Sequence, residues 1–444
     1  MNVSVLRDIL TGGIVLGILV LLHEWGHFVA AKLCGVRVDV FSIGFGPRLW
    51  GVKRGDTDYR VSALPLGGYV RMAGDNPVEE RTGAPNEFLS RPRWQRFIIA
   101  VAGPVTNILA TFVIFWGIYI FAGMPTDTYL RQPADVAAVP VGSESTAAVR
   151  AGDRIVEVNG VTTPTWGKVT SQLEQAHSGD IVSLVVVRNG SRESLSTRVP
   201  DTGSAVDAIA GYPLLAAVIE EVQLGSPAAK AGMKAGDTVV SIDGHSVTTW
   251  LELTDRVRNS GGHDIHFVVR RDSQDVPLDI SPKHSMMPNG EMAWLIGASR
   301  KADQVFERQG IIESVKDAGI ETYLYARLIG SVVAGLFRGR LSVRELAGPV
   351  GIAQMSGQAA KGGFVTLLTW IAYISLNLGF LNLLPIPIMD GGHVLMLAIE
   401  GTLRRDLSIT FKERFVQVGL VFLLGLFALV MYNDIVVRII QVHQ

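Results

Sequence analysis

The sequence predicts a multi-pass α-helical membrane protein: four transmembrane helices, a membrane-associated β-loop, and two domains inserted on the extracytoplasmic side. Three observations predict it. Four apolar segments approach the ~20 residues that a spanning helix needs. Hydrophobic residues make up 48% of the chain and mean hydropathy is +0.31, too apolar for an ordinary soluble protein of 444 residues. Between the second and third apolar segments a ten-residue stretch recurs, the mark of duplicated domains. A net charge of −1 argues against nucleic-acid binding, and the single cysteine, Cys34, excludes an intrachain disulfide framework.

The first span, residues 9–33, carries His23-Glu24-Trp25-Gly26-His27. Two histidines four apart on a helix project from one face, so both imidazoles can reach one zinc ion. Glu24 lies about 100° round the helix from His23, within reach of a water that zinc activates. Chance, or a pair of satisfied core histidines, would give the same pattern. Ionisable groups at membrane depth, however, are expensive and usually functional. A catalytic zinc takes three protein ligands, so one more must come from elsewhere. The segment has no small-x-small site before the histidines and is expected to be a retained span, not a signal peptide.

Residues 32–96 hold eleven Lys/Arg, whereas residues 1–8 hold only Arg7. By the positive-inside rule this loop is cytoplasmic, the histidine site lies toward the cytoplasmic end of its span, and residues 125–363 are extracytoplasmic. Four Lys/Arg in residues 404–414 agree. Residues 36–50 and 59–72 read as strands broken by Gly44-Phe45-Gly46 and Gly67-Gly68. Two readings stay open. The glycines serve plain hairpin turns, or they shape a β-loop beside the site whose free edge pairs with an extended substrate.

After the second span, residues 97–124, comes the repeat. Ala151-Gly152-Asp153-Arg154-Ile155-Val156-Glu157-Val158-Asn159-Gly160 recurs as Ala235-Gly236-Asp237-Thr238-Val239-Val240-Ser241-Ile242-Asp243-Gly244. Each copy runs on to a tryptophan, Trp166 or Trp250, then a helix-like stretch and a β-rich run. Gly225-Ser226-Pro227-Ala228-Ala229 precedes the second copy, whereas the first has Gly142-Ser143-Glu144-Ser145-Thr146, without proline. The pattern resembles the PDZ domain, an α+β, barrel-like fold. That resemblance implies binding of a peptide or ectodomain in a groove, the plainer reading being a spacer. Gly211-Tyr212-Pro213-Leu214 falls where the carboxylate-binding loop of the second copy would lie.

Residues 307–338 read as an amphipathic helix, too polar to span and expected on the membrane surface. The third span, residues 364–384, ends in Asn377-Leu378-Gly379-Phe380-Leu381-Asn382-Leu383-Leu384-Pro385-Ile386-Pro387-Ile388-Met389-Asp390-Gly391-Gly392-His393. The prolines must break the helix, and irregular backbone at membrane depth is tolerated only where it is buried or lines a cavity. Asp390 emerges from that break as the third zinc ligand. His393 is better placed as a hydrogen-bonding partner than as a ligand. The fourth span is residues 415–432. The segments are therefore 1–34, 35–95, 96–124, 125–204 and 205–300 (the two repeats), 301–345, 346–400 and 401–444.

Together these motifs resemble the site-2 protease family of intramembrane zinc metalloproteases, in its bacterial, sigma-E-regulating type. The resemblance rests on the His-Glu-x-x-His span, the Gly-x-Gly loop, the Pro-Leu-Gly-Gly-Tyr-Val strand, the Ala-Gly-Pro-x-x-Asn second span, the tandem PDZ repeat and the Asn-x-x-Pro-x-Pro-x-x-Asp-Gly break. Met389 stands where that family usually has Leu, a volume-conserving change. The resemblance implies one zinc on His23, His27 and Asp390, with Glu24 as general base. It implies that Asn377 and Asn382 help orient substrate beside the site; in the β-loop reading Gly44, Gly46, Gly67 and Gly68 are the substrate-binding positions of the loop. It implies a bacterial inner-membrane enzyme that cuts a single-pass transmembrane protein, an anti-sigma factor or signal-peptide remnant, after a first trimming cut. Two rivals are a protease of the other topology with a downstream Glu ligand, and a PDZ scaffold with a dead site. The Asp390-Gly391 break argues against the first, and the complete ligand set argues against the second.

Overall fold

The computed structural model describes residues 3–75, 82–140, 148–201, 205–223, 225–287, 292–300, 303–338 and 348–435. The chain divides into two units, Met1–Met124 with Arg308–Gln444, and Pro125–Glu307. In the first unit, among the described residues, four helical stretches are long and apolar enough to cross a membrane: Leu6–Leu33, Arg93–Phe121, Phe364–Leu383 and Ile409–Tyr432. They agree with the four spans read from hydropathy.

Helix α1, Val3–Leu33, ends where Gly35 takes a positive φ of 70° and the Val36 N–H returns to the Ala31 carbonyl. This is the usual glycine stop. A hairpin follows: β1, Val38–Arg54, pairs antiparallel with β2, Thr57–Met72. It packs against α1 where a Cβ on Gly67 would meet Val20 at 3.1 Å, and one on Gly68 would meet the Ser42 carbonyl oxygen at 2.5 Å. These glycines let two backbones and a helix meet within a side chain's width. Helix α2, Arg93–Phe121, crosses α1 at Gly26, whose Cβ would lie 2.5 Å from the Ala102 carbonyl oxygen. Small residues at a crossing are how helices approach without a hydrophobic driving force in lipid.

Helix α3, Ile311–Phe337, is the amphipathic segment. Its inner face is used against two spans. Ala318 is fully buried in a cluster with Phe115, Tyr119 and Ala372, and Glu321 accepts a 2.9 Å hydrogen bond from the Tyr373 hydroxyl. The helix read as amphipathic thus packs one face on two spans, through apolar contact at Ala318 and a polar bond at Glu321. Then come α4, Pro349–Lys361, α5, Phe364–Leu383, α6, Asp390–Leu403, and α7, Ile409–Ile435. Helix α7 presents Val418, Val421, Phe422 and Leu424 outward, as a lipid-facing span does.

The second unit contains two four-stranded antiparallel sheets with one topology. Strands Val161–Thr162, Arg154–Val158, Ile181–Arg188 and Ser191–Arg198 form the first. Strands His245–Ser246, Thr238–Ile242, Ile265–Arg271 and Gln274–Ile280 form the second. Trp166 and Trp250 each open a helix and each belong to the core of their copy. The repeated Asp explains itself. Asp153 is held by Arg188 at 2.7 Å and Asp237 by Arg271 at 2.6 Å, each carboxylate also accepting from a backbone N–H three residues earlier.

The placement of Gly211 and Tyr212 on the second copy needs correction, whereas the Pro213 carbonyl does accept from the Thr249 hydroxyl of that copy. Ile209 and Ala210 are in the first copy's core, and Tyr212 exchanges backbone hydrogen bonds with Ala137 and Ala138 of that copy. The matching position in the second copy is Gly297–Ser299, where Ala298 pairs with Val222. Each sheet is closed by a segment that follows it in sequence; the boundary at residue 205 gave the first copy's closing segment to the second, whereas Gly297–Ser299 stayed with its own copy. Residues 142–147 lie outside the described residues.

Candidate metal centre

Three elements of the first unit build the site. On α1, His23 and His27 lie one turn apart and are both buried. Asp390 is the first residue of α6, where a carboxylate gains from the helix N-terminus. The break that delivers it is tightly folded. Ile388, a β-branched residue, has φ of 80°, and a Cβ on Gly391 would lie 2.1 Å from the Leu384 carbonyl oxygen. Only glycine fits at that position. Pro387 is braced against Gly419 of α7.

His23 Nε2 lies 3.0 Å from Asp390 Oδ2, His27 Nε2 lies 3.4 Å from Asp390 Oδ1, and the two Nε2 atoms are 3.2 Å apart. A tetrahedral zinc with bond lengths near 2.1 Å sets its ligand atoms about 3.4 Å apart. The three donors match that spacing, and they are the nitrogen and oxygen types that zinc takes. His27 Nδ1 donates to the Ile99 carbonyl at 2.7 Å. That fixes its proton on Nδ1 and leaves the Nε2 lone pair aimed into the cluster.

Glu24 sits beside the cluster, its Oε2 accepting a 3.0 Å hydrogen bond from the Val70 N–H of β2. Both line a cavity of about 660 Å³, with the three donor residues, Asn382 and His393. His393 is not among the residues whose donor atoms converge. Asn382 Nδ2 lies 3.3 Å from His23 Nε2. Asn377 is turned elsewhere: it donates to the Tyr325 hydroxyl of α3 and the Tyr373 carbonyl, and does not line this cavity. Gly44 and Gly46 shape β1, and Gly67 and Gly68 seat β2 on α1. None of the four lines the cavity, whereas Val70 and Met72 of β2 do.

Reasoning from sequence missed two further residues. A Cβ on Gly103 would lie 2.3 Å from His27 Nε2 and 2.8 Å from His23 Cε1, so α2 needs glycine to make room for the imidazoles. Asn107, fully buried, sits 3.4 Å from His23 Nδ1. The signal for both was the Ala-Gly-Pro-x-x-Asn motif, whose partners cannot be read without the fold.

The profile of peptidase family M50 matches residues 11–426. The chain belongs to that family. It is 32% identical to the regulator of sigma-E protease RseP of Escherichia coli strain K12, over 97% of this chain and 99% of that one. It is 33% identical to protease RseP of Yersinia pestis over 97% and 99%, and 31% identical to the regulator of sigma E protease of Salmonella typhi over the same shares. This chain is a zinc metalloprotease, and among the described residues His23, His27 and Asp390 form a group that could hold a metal ion.

Proposed function

We propose that this zinc metalloprotease cuts transmembrane segments of single-pass membrane proteins within the bilayer of a bacterial inner membrane. Its substrates are of the anti-sigma-factor or signal-peptide-remnant type, already trimmed by another protease. The observation that carries the reading is the convergence of His23, His27, Asp390 and Glu24 on one cavity inside a bundle of spanning helices. A soluble protease has no need to bury this chemistry among lipid-facing helices.

In this reading His23, His27 and Asp390 hold one zinc, which supplies polarisation of the scissile carbonyl and a lowered pKa for water. Glu24 takes the proton from the attacking water and delivers it to the leaving amine. The Val70 N–H holds Glu24 Oε2, leaving Oε1 for proton transfer. A transmembrane helix must be unwound before it can be cut, because its peptide bonds are satisfied within the helix. The β1–β2 hairpin, shaped by Gly44, Gly46, Gly67 and Gly68, offers a strand edge for the unwound segment, and Asn382 orients it. Asn377 serves this role indirectly, through its bonds to α3.

The positive-inside asymmetry puts the site toward the cytoplasm and residues 125–307 outside. There the two repeats act as PDZ domains, engaging a peptide or a substrate's external part. Replacing Glu24 with Gln tests the chemistry, since an amide cannot accept the proton. The variant should retain zinc and lose cleavage of a model transmembrane substrate by at least about 1000-fold. Cleavage at near wild-type rate would end the assignment.

A further inference from the structure

We propose that Asn107 is a positioning residue that fixes the tautomer of His23 by accepting its Nδ1 proton through Oδ1. The inference rests on the reading that His23 holds zinc through Nε2. An imidazole that ligates through Nε2 carries its proton on Nδ1 and needs an acceptor there. His27 has one in the Ile99 carbonyl. For His23, two amides come within reach. Asn382 Nδ2 lies 3.5 Å from Nδ1 but closer, 3.3 Å, to Nε2, and its residue lines the substrate cavity. Asn107 stands with its Nδ2 placed 3.4 Å from Nδ1, is fully buried and lies outside the cavity lining.

Asn107 is held firmly. Its backbone carbonyl accepts from the Thr111 hydroxyl at 3.0 Å and from the Ser375 hydroxyl of α5 at 2.9 Å. Its Oδ1 is buried without a hydrogen-bond partner. The two ends of an amide are alike in shape, so a half-turn of the group exchanges Oδ1 with Nδ2. One orientation offers His23 an N–H and selects the tautomer with its proton on Nε2, which cannot ligate through that nitrogen. The other offers an acceptor and frees the Nε2 lone pair. Either way one end of the amide stays without a partner. The amide's own hydrogen bonding therefore does not decide between them, and zinc held through Nε2 selects the second. This accounts for the Asn in the Ala-Gly-Pro-x-x-Asn motif as Gly103 accounts for the Gly.

The test compares zinc affinity of the purified full chain in detergent, by competition with a chelator, for wild type, Asn107→Leu and Asn107→Asp. Circular dichroism and size exclusion monitor the fold. Leu keeps the volume and removes the acceptor, so affinity should fall 10- to 100-fold. Asp restores an acceptor at either orientation and should keep affinity within about threefold of wild type. A purely structural role would make both variants equally poor. Equal loss in the two folded variants, or no loss in Asn107→Leu, overturns the proposal. Wild type that binds no zinc would instead sink the reading on which it rests. If neither variant folds, ¹⁵N-histidine spectra of the zinc-loaded wild type decide. They should show His23 protonated at Nδ1, and a proton on Nε2 or ligation through Nδ1 contradicts the proposal.

Discussion

At the scale of single residues, the site works because small and polar groups of α2 are fitted to the histidines of α1. Gly103 is the sharpest case. A methyl group there would sit 2.3 Å from His27 Nε2 and 2.8 Å from His23 Cε1, so one or both rings would have to shift out of the donor cluster. Gly103→Ala should lower zinc affinity and kcat/KM by about 100-fold while costing about 1–3 kcal/mol of stability from overpacking. Chelator competition and thermal unfolding would measure the two, and wild-type zinc affinity would contradict the account. The histidines, Glu24 and Asp390 were legible in the sequence because their spacing and apolar surroundings are local properties. Gly103 and Asn107 were not. A glycine's purpose depends on what faces it, and what faces Gly103 is a helix 80 residues away in sequence.

At the scale of elements, hydropathy, proline and glycine placed the spans, the hairpin and the break before Asp390 close to where they lie. What linear order misplaced was the closing segment of the first repeat, which the boundary at residue 205 gave to the second, since backbone pairing across a domain boundary leaves no periodic mark. The repeated Ala-Gly-Asp became intelligible only with its partner. Burial opposes ionisation of Asp237, but hydrogen bonds from Arg271 and the Lys234 N–H outweigh it and hold the carboxyl below its usual range. A carboxyl with a folded pKa below its unfolded value of about 3.9 stabilises the fold above that value. This contribution is lost as pH falls toward the folded pKa. Wild type should thus lose stability below about pH 4, and Asp237→Ala, which strands Arg271, should destabilise this domain by about 3 kcal/mol at neutral pH. Denaturant unfolding of the full chain followed at Trp250 would show it. A variant with wild-type stability and an unchanged acid limb would refute the role given to the pair.

At the scale of the whole molecule, a catalytic bundle is interrupted by a pair of domains with no catalytic motif of their own. The proposed division of labour is that they hold back a substrate with a bulky external part and admit a trimmed one. Replacing residues 134–299 with a flexible linker removes both sheets together with the Gly297–Ser299 segment that closes the second. The shortened chain should cut trimmed substrate at a near wild-type rate and also cut untrimmed substrate. Continued rejection of the untrimmed form would place the filter elsewhere. The central claim lies deeper, in the joining of two distant parts of the chain by one ion inside the spanning bundle. Metal analysis of the purified wild type and of Asp390→Ala after dialysis against a chelator tests it most directly. The account predicts one zinc per chain in wild type and its loss from the variant. Unchanged zinc stoichiometry and affinity in Asp390→Ala would contradict it.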